Sequence, residues 1–204
     1  CGFDFERKEN PPPFVNNKYF TFGSFNNPSK LTDNVLDCWS NILKKVKGSK
    51  LIIKCSSKKR KFDRIEKIFK KNGVLDSVTF YYRIDKLEDH LNLYRKIDVA
   101  LDTFPYNGVT TSFEATWMGV PVITMAGYNF NSRCGESINK NLNMERMVAR
   151  DEDDYVDKVV NLSNNHEDYI KLRKSIFLNA LKSPLFNVQN YSKSFFEALE
   201  EIVN

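Results

Sequence analysis

Between Leu101 and Gly127 the chain reads LDTFPYNGVTTSFEATWMGVPVITMAG, and this stretch leaves few folds open. An apolar run ends at Asp98-Val-Ala-Leu-Asp102, and a polar turn runs through Phe104-Pro-Tyr-Asn-Gly108. Thr110 and Thr111 stand where a helix through Trp117 begins, and after Gly119 and Pro121 a second apolar strand starts. The amino end of such a helix suits an anion. Its first N–H groups lack internal partners, and the aligned peptide dipoles leave partial positive charge there. Val109, Thr110 and Thr111 are therefore candidates for a phosphate cradle, and Gly108 beside them is a further donor-binding candidate. Glu114 falls one helical turn beyond Thr110 on the same face, where a carboxylate can accept hydrogen bonds from sugar hydroxyls. The same residues also fit an ordinary capped helix whose early glutamate suits the dipole, and local pattern alone leaves both readings open.

Upstream, the same alternation of strand and helix repeats. Residues 1 to 18 have no usable period and contain Pro11-Pro-Pro13, which predicts a linker or extended lead-in. Tyr19 to Phe22 reads as a strand rich in aromatic residues. Thr32 and Asp33 then open a helix in which Val35, Leu36, Trp39, Ile42, Leu43 and Val46 recur at intervals of three and four. Leu51 to Cys55 and Val78 to Tyr81 read as strands, and Lys86 to Lys96 as a helix. Strands are expected again at Val99 to Leu101 and Val122 to Thr124. This order predicts an α/β fold, a Rossmann-like doubly wound parallel sheet with helices on both faces, followed by C-terminal helices. In such sheets ligands bind beyond the carboxyl ends of the strands, so the Ser24 to Lys30 loop, His90 and the Thr110-Thr111 turn can share one crevice. After Gly127 the pattern is helical, with helices expected from Asp151, from Tyr169 to Leu181 and from Val188 to Val203. The Asp151-Glu-Asp-Asp154 run has two readings, metal ligands or favourable charge at a helix start; the EF-hand pattern is absent, which favours the second.

Composition narrows the function classes. The 204 residues are 41% hydrophobic and 28% charged, a globular balance, and no run approaches the roughly 18 to 20 apolar residues of a membrane helix. The charged N-terminus is unlike a signal peptide. Cys1, Cys38, Cys55 and Cys134 form no CxxC pair, which predicts reduced thiols in a cytoplasmic protein and no zinc site. A net charge of +5 is mild for this length. Its densest cluster, Lys58-Lys-Arg-Lys61, lies beside Phe62, Ile65, Ile68 and Phe69 at helical spacing and reads as the solvated face of a helix rather than a nucleic-acid patch.

Four segments, in order, resemble the protein O-linked N-acetylglucosamine transferases and the SPINDLY-type O-fucosyltransferases. They are Thr21-Phe-Gly-Ser-Phe-Asn-Asn27 with Lys30 and Trp39; Asp89-His90 with Asp98 through Tyr106; Asn107-Gly-Val-Thr-Thr-Ser-Phe-Glu114 through Gly127; and Ser183-Pro-Leu-Phe186. The resemblance covers residues 19 to 204. It implies the second domain of a GT-B enzyme, which grips a nucleotide-sugar donor without metal or other cofactor. It assigns Lys30 to the donor diphosphate, as the catalytic residue that meets charge growing on the leaving group. It places His90 near the nucleotide base, Glu114 at the ribose hydroxyls, and Asn27 and Tyr106 near the sugar and its diphosphate. His166 has no counterpart and is expected on the surface.

Three departures from the animal enzymes matter. Val109 replaces a histidine, leaving only a backbone contact to carry over; Tyr106 replaces a smaller residue; and Phe104-Pro-Tyr106 with Met118-Gly-Val-Pro121 is closer to the SPINDLY branch. The resemblance thus implies transfer of N-acetylglucosamine from UDP-GlcNAc to Ser or Thr, with GDP-fucose, UDP-glucose or a non-catalytic nucleotide-binding role as alternatives. Implied partners are UDP or a UDP-sugar, an acceptor protein, and the family's first catalytic domain and tetratricopeptide region, with neither nucleic acid nor membrane. No candidate general base is visible, so this half alone is expected to bind donor and turn over poorly.

Overall fold

Among the residues described by a computed structural model, 11–54, 62–82 and 84–203, six short strands form one sheet. They are Thr21–Ser24 (β1), Lys50–Lys54 (β2), Val78–Tyr81 (β3), Val99–Leu101 (β4), Val122–Met125 (β5) and Val148–Ala149 (β6), in the order β3-β2-β1-β4-β5-β6 with every neighbouring pair parallel. The connecting helices are Pro13–Asn17 (α1), Asp33–Lys45 (α2), Asp63–Lys71 (α3), Leu87–Leu93 (α4), Thr110–Trp117 (α5), Cys134–Lys140 (α6), Glu152–Asn164 (α7), His166–Lys182 (α8) and Val188–Val203 (α9). Sheet order reverses between β1 and β4, so the loops leaving these two strands part to opposite sides and open a crevice at their carboxyl ends.

Both faces of the sheet are covered, which explains strands that read as continuous apolar runs. Phe22, Leu51, Ile53, Leu101 and Ile123 point into one core with Leu36, Trp39, Ile65, Tyr155 and Val159. Ile52, Ala100 and Val122 point the other way, towards Leu91, Tyr94, Ile97, Ala115 and Val120. Gly23 faces this second layer where Ile97 crosses: a Cβ there would lie 2.6 Å from the Ile97 Cγ2.

Two buried aspartates bracket β4. Asp98, at its amino end, accepts from the Thr21 N–H (2.8 Å), the Phe14 N–H (3.0 Å) and the Tyr169 hydroxyl (3.2 Å). Arg173 donates to the Ile97 carbonyl (3.1 Å) and to the Tyr169 hydroxyl (2.9 Å). Burial pushes the Asp98 carboxyl upward, opposed by these backbone donors and by Arg173. This cluster ties α1 and α8 to the sheet. Asp102, at the other end, builds the functional crevice.

Several expectations are corrected. The lead-in is not extended at its end: Pro13 occupies the first position of α1, where its missing N–H costs nothing, and Phe14 is buried. The first strand is Thr21–Ser24 rather than Tyr19 to Phe22. The helix from Lys86 is α for Leu87–Leu93 and continues as a 3-10 turn, Tyr94–Lys96. The segment after Gly127 is not wholly helical, because β6 pairs with β5 through Thr124 and Val148. Asp151 accepts from the Asp154 N–H at 2.8 Å and caps α7, so the acidic run serves a helix start. His166 is exposed as expected, with its ring 4.7 Å from that of Phe14. The Lys58 to Lys61 cluster, Cys1 and Cys55 lie outside the described residues. Cys38 and Cys134 are free thiols, and burial pushes Cys38 up to about 12. No described helix is long and apolar enough to cross a membrane.

Candidate functional site

The crevice is framed by the loop after β1 and the turn after β4. Asn27 folds the first into a tight turn: its Oδ1 accepts from the Ser29 N–H and hydroxyl, each at 3.0 Å, and starts the 3-10 turn Pro28–Lys30. That turn sends Lys30 across the crevice. Its Nζ donates to the Asn107 carbonyl at 2.7 Å and lies 3.9 Å from the centre of the Tyr106 ring. Burial lowers the Lys30 pKa, while the nearby Asp102 and Cys134 act in the opposite direction.

The second loop is held by groups whose role the sequence reading did not foresee. Asp102 Oδ1 accepts from the Gly108 N–H (2.6 Å) and the Thr103 N–H (2.8 Å), and Oδ2 from the Thr124 hydroxyl (2.8 Å). Asn107, fully buried, donates to the carbonyls of Thr103 (3.0 Å) and Met125 (3.3 Å) and accepts from the Gly135 N–H (3.2 Å). The Phe104-Pro105 peptide is cis. Asn26 spans the two loops, donating to Asp102 (3.4 Å) and accepting from the Thr111 hydroxyl (3.0 Å). A carboxylate and two amides thus replace the regular hydrogen bonding that an irregular buried turn lacks.

Where this turn meets α5, the residue in the cap position is Val109, and no side chain caps the helix. The first intrahelical bond in this turn runs from the Phe113 N–H to the Val109 carbonyl (2.9 Å), leaving the N–H groups of Thr110, Thr111 and Ser112 ahead of it. The capping alternative for the two threonines is therefore excluded: Thr110 is exposed and the Thr111 hydroxyl is turned to Asn26. Behind α5, Phe113 and Trp117 pack on Phe186, with ring centres 5.6 and 5.1 Å apart, so the distant Ser183-Pro-Leu-Phe186 segment buttresses this helix. Beside its start opens a largely apolar cleft of about 360 Å³ lined by Val109, Phe113, Phe130, Arg133, Cys134 and Leu185.

A second cluster adjoins the first. Glu114 is buried on α5 and its Oε2 lies 2.9 Å from both His90 Nε2 and the Tyr94 hydroxyl. His90 Nδ1 is 2.9 Å from Lys54 Nζ. The Tyr94 hydroxyl is also 3.2 Å from the Thr111 carbonyl, which links the clusters. The structure thus brings Lys30, Tyr106, Gly108 and Thr111 together, with His90 and Glu114 next to them. Asn27 is occupied by its own turn, and Val109 is exposed and lines the apolar cleft beside α5. Asn26, Asp102 and Asn107 were missed although they lie inside the quoted motifs; the available signal was a carboxylate closing an apolar strand at Asp102.

Gly108 shows how closely the turn is packed. A Cβ there would lie 2.5 Å from the Thr111 hydroxyl, 2.7 Å from Asn26 Oδ1 and 3.0 Å from Asp102 Oδ1. Gly108→Ala is expected to cost about 1–3 kcal/mol in denaturant unfolding, as overpacking does.

The sequence model of glycosyl transferase family 41 matches residues 14–195. A probable UDP-N-acetylglucosamine–peptide N-acetylglucosaminyltransferase SPINDLY of Solanum lycopersicum is 37% identical over 191 residues, covering 90% of this chain and 20% of the relative. The UDP-N-acetylglucosamine–peptide N-acetylglucosaminyltransferase of Caenorhabditis elegans is 27% identical, over 89% of this chain and 16% of its own length. Among solved structures, a mutant of the Thermobaculum terrenum O-GlcNAc transferase superposes with a TM-score of 0.81 at 29% identity, covering 91% of this chain and 35% of that one. The chain thus spans about a fifth of the length of the curated relatives it matches. Its six-stranded parallel sheet with C-terminal helices is that of a GT-B glycosyltransferase domain. By sequence over most of its length and by fold, the chain belongs to glycosyl transferase family 41.

Proposed function

We propose that residues 19–204, with α1 docked on them, are the donor-binding half of a cytoplasmic protein O-glycosyltransferase that moves N-acetylglucosamine from UDP to Ser or Thr. The observation that carries this reading is Lys30, held over the turn that leads into the uncapped start of α5. The diphosphate would lie between the ammonium and the N–H groups of Thr110 and Thr111, with the ribose at Glu114 and the base near His90. The acceptor hydroxyl oxygen attacks the anomeric carbon from the opposite side and its proton passes to water or to the departing diphosphate, while the bond from that carbon to the β-phosphate oxygen breaks and the configuration inverts. Charge that grows on the departing diphosphate meets donors already in place. The cleft beside Val109 leaves room for a sugar next to the phosphates. Tyr106, half-exposed at the crevice, supports a narrower sugar pocket and keeps GDP-fucose or UDP-glucose as the alternative donor.

The other half of the site belongs to a companion domain. Support comes from α9, which buries no residue and exposes Tyr191, Phe196 and Ile202 along an amphipathic helix.

Titration calorimetry of the full-length protein with UDP and with GDP, both in EDTA, tests the reading. Saturable binding of one nucleotide without metal is expected. A folded protein that binds neither would end it. Mass spectrometry of a model acceptor protein incubated with each sugar donor then identifies the group transferred.

A further inference from the structure

Glu114 is held by a chain of side chains from three separate elements. Lys54 ends β2, His90 lies on α4, and Tyr94 lies in the 3-10 turn after α4. An ammonium has three donors and no acceptor, so His90 Nδ1, 2.9 Å from Lys54 Nζ, must accept. The ring proton then sits on Nε2, which donates to Glu114 Oε2 at 2.9 Å. The Tyr94 hydroxyl is a second donor to the same oxygen at 2.9 Å. Burial, followed by the charge of Glu114, pushes that phenol well above its usual pKa, so it keeps its proton. Among the described residues no donor reaches Glu114 Oε1. One oxygen of the carboxylate is filled from within the protein and the other is left to accept.

We propose that Lys54 and Tyr94 are positioning residues for the nucleoside: Lys54 fixes His90 as its Nε2–H tautomer, His90 and Tyr94 together occupy Glu114 Oε2, and Oε1 is thereby presented to the ribose hydroxyls. This rests on the donor-site reading above. It also changes the part played by His90, whose two ring nitrogens are engaged by protein groups, so that a nucleobase can meet only the face of its ring. A lysine that touches no substrate then governs how well ribose is recognised, because without it the imidazole can present an acceptor nitrogen to a carboxylate and turn attraction into repulsion.

The test compares a nucleoside diphosphate with its 2′,3′-dideoxy counterpart by calorimetry in the full-length protein and in Lys54→Met, Lys54→Arg and Tyr94→Phe. The parent should prefer the ribonucleotide by about tenfold or more, as expected for hydrogen bonds to a charged group. Lys54→Met and Tyr94→Phe should shrink that preference to about threefold or less, with arginine, also a pure donor, restoring it. Imidazole ¹⁵N spectra of His90 without ligand should report the Nε2–H tautomer in the parent and in Lys54→Arg, and a mixture in Lys54→Met. Unchanged ribose preference and tautomer in Lys54→Met, in a protein that binds nucleotide, would overturn the positioning role alone. Absence of nucleotide binding in the folded parent would overturn both this inference and the donor-site reading.

Discussion

Asp102→Ala is expected to destabilise the protein by about 3–5 kcal/mol in denaturant unfolding, more than any other single change in the crevice. The carboxylate is the shared acceptor for the N–H groups of Gly108 and Thr103 and for the Thr124 hydroxyl. Alanine would strand these three donors, and the Asn26 amide 3.4 Å away, in a buried turn, each close donor at a cost of about 1–3 kcal/mol before relaxation. Asp102→Asn should cost far less, about 1 kcal/mol, because its carbonyl can keep the two N–H groups and the threonine hydroxyl can rotate to accept from the amide. The pair separates hydrogen bonding from charge. Burial pushes the Asp102 carboxyl up to about 6 from 3.8, against the pull of the Gly108 N–H, the Thr124 hydroxyl, the Thr103 N–H and Lys30. The folded protein therefore binds this proton more tightly than the unfolded chain. The resulting stability is fully present below about pH 4 and is lost as pH rises through about 6, a swing of about 3 kcal/mol. Unfolding curves between pH 4 and 7 should be flatter for Asp102→Asn than for the parent by about that amount.

Lys30→Ala should leave folding nearly intact and remove function. Its ammonium is half-buried and makes one hydrogen bond, to the Asn107 carbonyl, which water can replace at the crevice mouth. Nucleoside diphosphate binding is expected to weaken about tenfold to a hundredfold, the worth of a charged hydrogen bond. Turnover in the full-length protein should fall further, by about a hundredfold to a thousandfold, because charge on the diphosphate grows as the sugar departs. Lys30→Arg should rescue binding only in part. The lysine reaches its place as a point charge above the Tyr106 ring, 3.9 Å from its centre, and a planar fork cannot occupy the same spot with the same aim. Equal loss of binding and turnover would show that Lys30 holds the ground state only.

Legibility in the sequence followed the length and regularity of each element. The α2 helix announces itself through Thr32, whose hydroxyl accepts from the Val35 N–H, and through apolar residues at helical spacing, of which Val35, Leu36, Trp39, Ile42 and Leu43 are buried. β3 and β4 were readable to their end residues because short apolar runs lay between clear helical patterns. β6 was not, since two residues carry no period, and only pairing with β5 makes Val148–Ala149 a strand. The same holds for α1, five residues whose Phe14 N–H is secured by Asp98, 84 positions away. At the candidate site, Lys30, Thr110, Thr111 and Glu114 were reached through ordered motifs, while Lys54 and Tyr94 carried no local mark.

What the sequence determined by itself was the alternation of strand and helix, and with it a parallel sheet whose crevice lies at the strand ends. Those features depend on periodicity and on capping chemistry, both of which act over a few residues. Only the tertiary structure decided which groups meet in that crevice. Asn26 reaches Thr111, Asp102 reaches Thr124, and Lys54 reaches Glu114 through His90, each pair arriving on different elements of the sheet. Such contacts follow from strand order and from the place where that order reverses. Burial then forces each polar group to find a partner, and the partner available is set by the whole fold rather than by the neighbouring chain.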